Sequence, residues 1–173
     1  FPKTGLSEAR QAYQDALKKK DSPQIIRSLV LQYRYQQIID REGILPVIRE
    51  AETRLKKAPQ VEKQMLHTIL AEFYFDYFTS NSWKIRQRTP LSGRVPDDIE
   101  VWSSNIFTDT IRYHAMAAVE GEKQLAAASL QKYSSVITLG EDSEKLKHNL
   151  FDLLTNRSIN LLKQLNLYAR DFE

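Results

Sequence analysis

Residues that could do chemistry gather between Trp83 and Trp102, in WKIRQRTPLSGRVPDDIEVW. The stretch holds Arg86, Arg88, Arg94 and the adjacent pair Asp97-Asp98, with two Pro and one Gly among them. Two neighbouring carboxylates could serve as an acid pair or as cation ligands. Calcium needs about six to eight oxygens, and no further ordered set stands nearby. Two plainer roles are open. The pair can cap a short turn starting near Ile99, or it can bind one of the arginines and fix the loop against the rest of the chain, since a guanidinium fork holds a carboxylate at two points. Pinning of the loop is the first reading, partner binding the second and catalysis the last. Trp83 and Trp102 carry the same choice between loop anchor and interface, and the aromatics ahead of them favour a buried anchor.

Other chemistry is thin. His67, His114 and His148 lie far apart in the sequence and lack metal-ligand spacing, so no metal or other cofactor is expected. His67 and His114 fall within expected helices, as partly buried or surface residues. No phosphate-cradling glycine loop, nucleophile elbow or HExxH motif occurs. Asn156-Arg157-Ser158 fits the glycosylation triplet but lies inside an expected helix. An enzyme is therefore not expected. Arg interleaved with aromatics could suit single-stranded nucleic acid. The acidic residues in the same segment argue against it, and a net charge of +3 does not suggest it. There is no Cys, which removes disulfides and thiolate chemistry but names no compartment. No apolar run is long enough for a transmembrane helix. The chain starts at Phe1 without Met and shows no signal peptide, which reads as a piece of a larger, processed protein.

The elements that must position these residues are helical. Ser7 to Lys20 reads as a first helix with Ser7 as N-cap, Glu8 in the first turn and Ala9, Ala12, Tyr13, Ala16 and Leu17 on one face. Lys18, Lys19 and Lys20 close it as a solvated end. Asp21-Ser22-Pro23 opens a second helix running to about Asp40, and Gly43 breaks it. A third covers about Leu45 to Lys57 with Val47, Ala51 and Leu55 inward. Pro59 precedes a fourth, from about Gln60 to Thr79, ending in Phe73, Tyr74, Phe75, Tyr77 and Phe78. Beyond the loop, Ser103 or Ser104 can cap a fifth helix to about Val119, ended by Gly121. One or two short helices are expected between Leu125 and Leu139, with Tyr133, Val136 and Ile137 inward. A last helix is expected from about Glu144 to Gln164, capped by Ser143 after Gly140, with Leu146 among its apolar residues.

Ala16-Leu17-Lys18-Lys19 aligns with Arg54-Leu55-Lys56-Lys57 at a shift of 38 positions, each followed by a Pro-containing break. Helix pairs of roughly 34–47 residues are the unit of tetratricopeptide and related solenoids. The expected fold is all-α, with antiparallel helical hairpins in a tetratricopeptide-like right-handed array and one long ordered loop. As organisation, this is a single helical domain over 1–173: two helix pairs over 7–79, an ordered loop over 80–102, and helices over 103–164.

Trp83-Lys84-Ile85, Arg88-Thr89, Asp97-Asp98-Ile99 and Trp102, in that order, resemble a pattern in the N-terminal helical region of large bacterial alpha-2-macroglobulin-like proteins. Leu66 to Phe78, LHTILAEFYFDYF, is similar to the helix leading into that pattern. Leu150 to Ser158 resembles the family's Asp-Phe-Leu-Ala-His-Arg-Ala segment, with Leu154-Thr155-Asn156 departing from its Leu-Ala-His. The resemblance spans about residues 7 to 165. It implies a Gram-negative bacterium, extracytoplasmic residence in periplasm or at the cell surface, and a parent protein that is often lipid-anchored. It implies that the whole chain inhibits endopeptidases by trapping them. The thioester of that family requires a Cys, and neither it nor the macroglobulin β-domains lie in this segment. The expected role here is a non-catalytic interaction or scaffold module for a protein or peptide partner, which could be other domains of the same chain. The alternative is a stand-alone helical-repeat protein that binds peptides or ligands.

Overall fold

The computed structural model describes residues 1–137 and 149–170. Helix α1 spans Pro2–Lys19 and begins earlier than the Ser7 cap predicts. Proline at the first helical positions needs no N–H partner, so Pro2 starts the helix and nothing before Leu6 stops it. Ser7 is an exposed residue within the helix and caps nothing. At the other end Lys20 takes a left-handed conformation, φ 52°, and the Asp21 amide donates back to the Ala16 carbonyl.

Helix α2, Ser22–Ile39, opens as the sequence predicts: the Asp21 carboxylate accepts from the Gln24 amide and Pro23 lies in the first turn. Asp40 caps a short 3-10 turn at Arg41–Gly43 before α3, Ile44–Leu55. The backbone at Gly43 runs so close to α2 that a Cβ there would stand 1.6 Å from the Gln36 amide nitrogen. The inward face of α3 is Val47, Ile48, Ala51 and Leu55.

Pro59 then leads into α4, Gln60–Ser80, the axis of the molecule. Helices α2, α3, α6 and α9 all pack on it. A helix covered on most sides has no single apolar stripe. Accordingly α4 buries Glu62, Gln64, His67 and Thr68 along with Met65, Leu66, Ile69, Leu70 and Phe78. Burying polar groups costs free energy unless they find partners. Glu62 is held by Arg54 and by the Ser22 hydroxyl, and Thr68 donates to the Gln64 carbonyl.

The segment expected as loop is partly helical. Helix α5 occupies Ser82–Arg86 and a 3-10 turn occupies Ile99–Val101, so the irregular part is shorter than 80–102. Helix α6, Ser104–Ala117, runs back along α4: Phe107 stacks on Phe78 and His114 on Tyr74. Gly121, at φ 75°, turns the chain into α7, Glu122–Ala127, and α8 follows at Leu130–Ile137 with Tyr133 and Val136 buried. Gly140, Ser143, Glu144, Leu146 and His148 lie outside the described residues. Helix α9, Leu150–Ala169, is capped by Asn149, whose side chain accepts from the Asp152 amide. Arg157 locks α9 to α4 by a fork on Glu72, Nε to Oε1 at 2.8 Å and Nη2 to Oε2 at 2.7 Å. Ser158 is buried and donates to the Ala115 carbonyl, which explains the Asn-Arg-Ser triplet as helix packing.

The chain is thus all-α across the described residues, with no strand among them. None of these helices is long and apolar enough to cross a membrane.

Candidate functional site

Residues 87–98 are tied down by backbone contacts. Arg88 donates from Nη1 to the Trp102 carbonyl at 2.7 Å. The Trp102 indole donates to the Pro96 carbonyl at 2.7 Å. The Ser103 hydroxyl accepts from the Leu91 amide at 3.1 Å and pairs with Asn105, so it serves the loop instead of capping α6. Trp102 is buried, stacked on Tyr74 at 5.6 Å and edge-on to Phe107. It is the anchor the sequence predicts.

Trp83 is not. It is 62% exposed on α5, with the Lys84 ammonium above its ring. Ile85 faces inward from that short helix, and a helix of one turn cannot bury both sides. Arg86 is exposed on the same helix. The pinning cation is Arg88, and it holds a main-chain carbonyl, not an aspartate. Asp98 takes the capping role, its carboxylate accepting from the Glu100 amide at the entry to the 3-10 turn. Asp97 is exposed beside it.

Behind this loop lies an open cleft of about 830 Å³. Ile48, Arg49, Glu52 and Thr53 of α3, with Lys56 just past its end, form one wall and Val95 to Ile99 the other, with the buried Tyr74 and Trp102 between them. Of the sequence candidates, Asp97, Asp98 and Trp102 line it. Trp83, Arg86 and Arg88 do not, and Arg88 acts on it only by holding Trp102 in place.

The group with most chemistry in the cleft is Glu52, which the motif reading missed. Its Oε1 accepts from the Tyr74 hydroxyl at 2.8 Å and pairs with His114 Nε2 at 3.0 Å. His114 Nδ1 in turn lies 2.9 Å from His67 Nδ1. The two histidines, distant in sequence, are thus adjacent and both are buried, His67 on α4 and His114 on α6. Burial alone would raise the Glu52 carboxyl, but the His114 hydrogen bond and charge, with the Tyr74 hydrogen bond, outweigh it and hold Glu52 below the usual carboxylate range. Tyr74 is pushed up by burial and by the Glu52 charge, so it remains a donor. His67 is pushed down to about 4 by burial, by His114 and by Lys63.

A signal for Glu52 was present in the sequence. It lies four positions after Ile48 and three before Leu55, beside the inward face of an amphipathic helix, where an acid requires a partner. Its partners come from α4 and α6, which spacing does not reveal. The site holds no group of three His, Cys, Asp or Glu side chains able to bind a metal among the described residues.

No protein-family model, curated protein or solved structure matches this chain.

Proposed function

We propose that this chain is a non-catalytic helical interaction module that seats a segment of a protein partner in the cleft between α3 and the Val95–Ile99 segment of the loop. The observation that carries the reading is the pinned loop. Arg88, Ser103 and the Trp102 indole spend their hydrogen bonds on holding residues 91–102 as a fixed wall, which leaves a preformed cleft with charged rims. Preformed walls lower the ordering cost of binding. Arg49 and Lys56 stand on one rim and Asp97 and Asp98 on the other, a mixed pattern that suits a peptide and not a nucleic-acid backbone. The non-catalytic part of the reading is supported by the histidines: each Nδ1 is occupied by the other ring, and both rings are buried.

The resemblance to alpha-2-macroglobulin-like proteins supports the wider proposal. In it the helices form tetratricopeptide-like hairpins in a right-handed array, the partner segment belongs to other domains of the same polypeptide, and the whole protein traps endopeptidases outside the cytoplasm of a Gram-negative bacterium. The test is to read the full reading frame and compare amide exchange in this domain with exchange in the longer protein. Downstream macroglobulin β-domains, with slower exchange in α3 and residues 95–99 in the longer protein, are the expected result. A frame without such domains removes the family assignment and moves the stand-alone peptide-binding reading to first place. Unchanged exchange in the longer protein removes docking at the cleft.

A further inference from the structure

We propose that Glu52 receives a cationic side chain, an arginine or lysine of the bound segment, and that protonation of the His67–His114 pair weakens its hold. This rests on the cleft reading above and adds its chemistry and its regulation.

The geometry assigns Glu52 two different oxygens. Oε1 is taken by Tyr74 and His114, while Oε2 accepts no hydrogen bond from the described residues. The side chain is 34% exposed and lines the cleft, so the untaken oxygen belongs to the cleft side. Arg49 lies one turn away on the same helix and Lys56 just past its end, yet neither reaches Glu52 within ion-pair distance and both are exposed. They are placed to meet carbonyl or acidic groups flanking the buried cation. Asp97 lines the same cleft from the opposite wall, and Val95 and Pro96 give apolar surface for a methylene stem. A fixed, ionised carboxylate with an untaken oxygen on the wall of a cleft is matched by a charge-assisted donor.

The back side of Glu52 sets the pH dependence. An ionised carboxylate only accepts, so His114 Nε2 carries the proton of that bond. With both rings neutral, His114 Nδ1 then accepts from His67 Nδ1 and His67 Nε2 is bare. Acidification adds a proton at His67 Nε2. Transfer of the shared proton along the 2.9 Å bond passes the positive charge to His114 without further uptake, and an imidazolium then stands against Glu52. The groups acting on the pair are Glu52 from α3, Lys63 and Tyr74 from α4, and Tyr113 from α6. A cation in the cleft and a proton on the pair compete for one carboxylate, and linkage requires the antagonism to be mutual.

The test uses the whole chain with ring-labelled histidines. N-acetylarginine amide is the probe and N-acetylcitrulline amide, nearly isosteric and uncharged, is the control. The arginine probe is expected to shift the Trp102 indole and Glu52 carboxyl signals, to lower the His67 titration midpoint from about 4, and to bind up to about twofold more weakly near pH 4 than near pH 7.5. Glu52→Gln is expected to abolish binding. If that variant does not fold, the citrulline control in the unaltered protein decides the charge requirement. Equal binding of citrulline amide overturns the cation site, and an arginine affinity that is flat with pH overturns the coupling. No response to arginine amide, together with exchange protection of α3 and residues 95–99 in the longer protein, removes this inference and leaves the docking module standing.

Discussion

Arg54 grips Glu62 by two bonds across the turn between α3 and α4, Nε to Oε2 at 2.6 Å and Nη2 to Oε1 at 3.0 Å. The Glu62 side chain has no exposed surface, and Ser22 of α2 adds a third donor at 2.8 Å. Removing one partner of such a pair leaves a buried charge. Arg54→Ala is expected to cost about 3–5 kcal/mol in urea unfolding. The paired change Arg54→Met with Glu62→Leu is expected to recover most of that loss, because it removes the charge along with its partner. A small loss for Arg54→Ala alone would show that water reaches Glu62.

The two tryptophans should separate cleanly in fluorescence. Trp102→Phe leaves only the exposed Trp83, with red-shifted emission that acrylamide quenches freely. Trp83→Phe leaves the buried Trp102, blue-shifted and shielded. In stability, Trp102→Ala is expected to cost about 3–5 kcal/mol. Trp83→Ala should stay within about 0.5 kcal/mol of the parent protein.

Arg88 holds the loop by one charged hydrogen bond to a backbone carbonyl. Bonds of that kind contribute about 1.5–3 kcal/mol. Arg88→Ala should therefore cost about that much and raise amide exchange at Leu91 and at the Trp102 indole, while α1 and α2 keep their protection. Loss of protection in α1 as well would mean that the loop is coupled to the whole fold and does not open on its own.

His67 gives the fold a pH dependence of known sign. Its folded value, about 4, lies below the 6.5 of the unfolded chain. Between those values the unfolded state binds more protons, so stability is full above about pH 6.5 and falls as pH drops toward 4. The whole shift corresponds to roughly 3 kcal/mol. Glu52, held below its ordinary 4.5, contributes in the same direction but only at lower pH, where it too becomes protonated. His67→Gln should flatten the slope of urea midpoint against pH above about pH 5.

The fold was legible where punctuation is local. Asp21-Ser22-Pro23 and Pro59 mark the starts of α2 and α4 within a turn of the residues concerned. Gly43 does not break α2 as expected: the extended backbone at Asp40 ends that helix, and Gly43 is helical within the 3-10 turn. The first helix misled because Ser7 is an equally good residue for an exposed helical position, and the real start was Pro2. In the site, the sequence named Trp83 and Trp102 as anchors on the same ground, and only Trp102 is buried; which of the two turns inward is decided by Ile85 taking the inner side of α5 and by the stacking of Trp102 on Tyr74. Glu52, His114 and His67 could not be assembled from spacing. His67 and His114 stand 47 positions apart, and their meeting depends on the register of α6 along α4. That register is set by Phe107 against Phe78 and by the length of the pinned loop, neither of which is a sequence motif.

Helix α4 has one more consequence, for how the molecule opens. It touches α2, α3, α6 and α9, and its polar side chains take partners from all four: Tyr33 and Gln37 on Asp76, Arg54 on Glu62, His114 on His67 and Arg157 on Glu72. No one of these neighbours can leave without taking the partner of a polar group on the axis with it, whereas α1 rests on α2. The helices from α2 onward that share α4 should therefore exchange their most protected amides only through global unfolding, while α1 frays ahead of them as a separate cooperative unit.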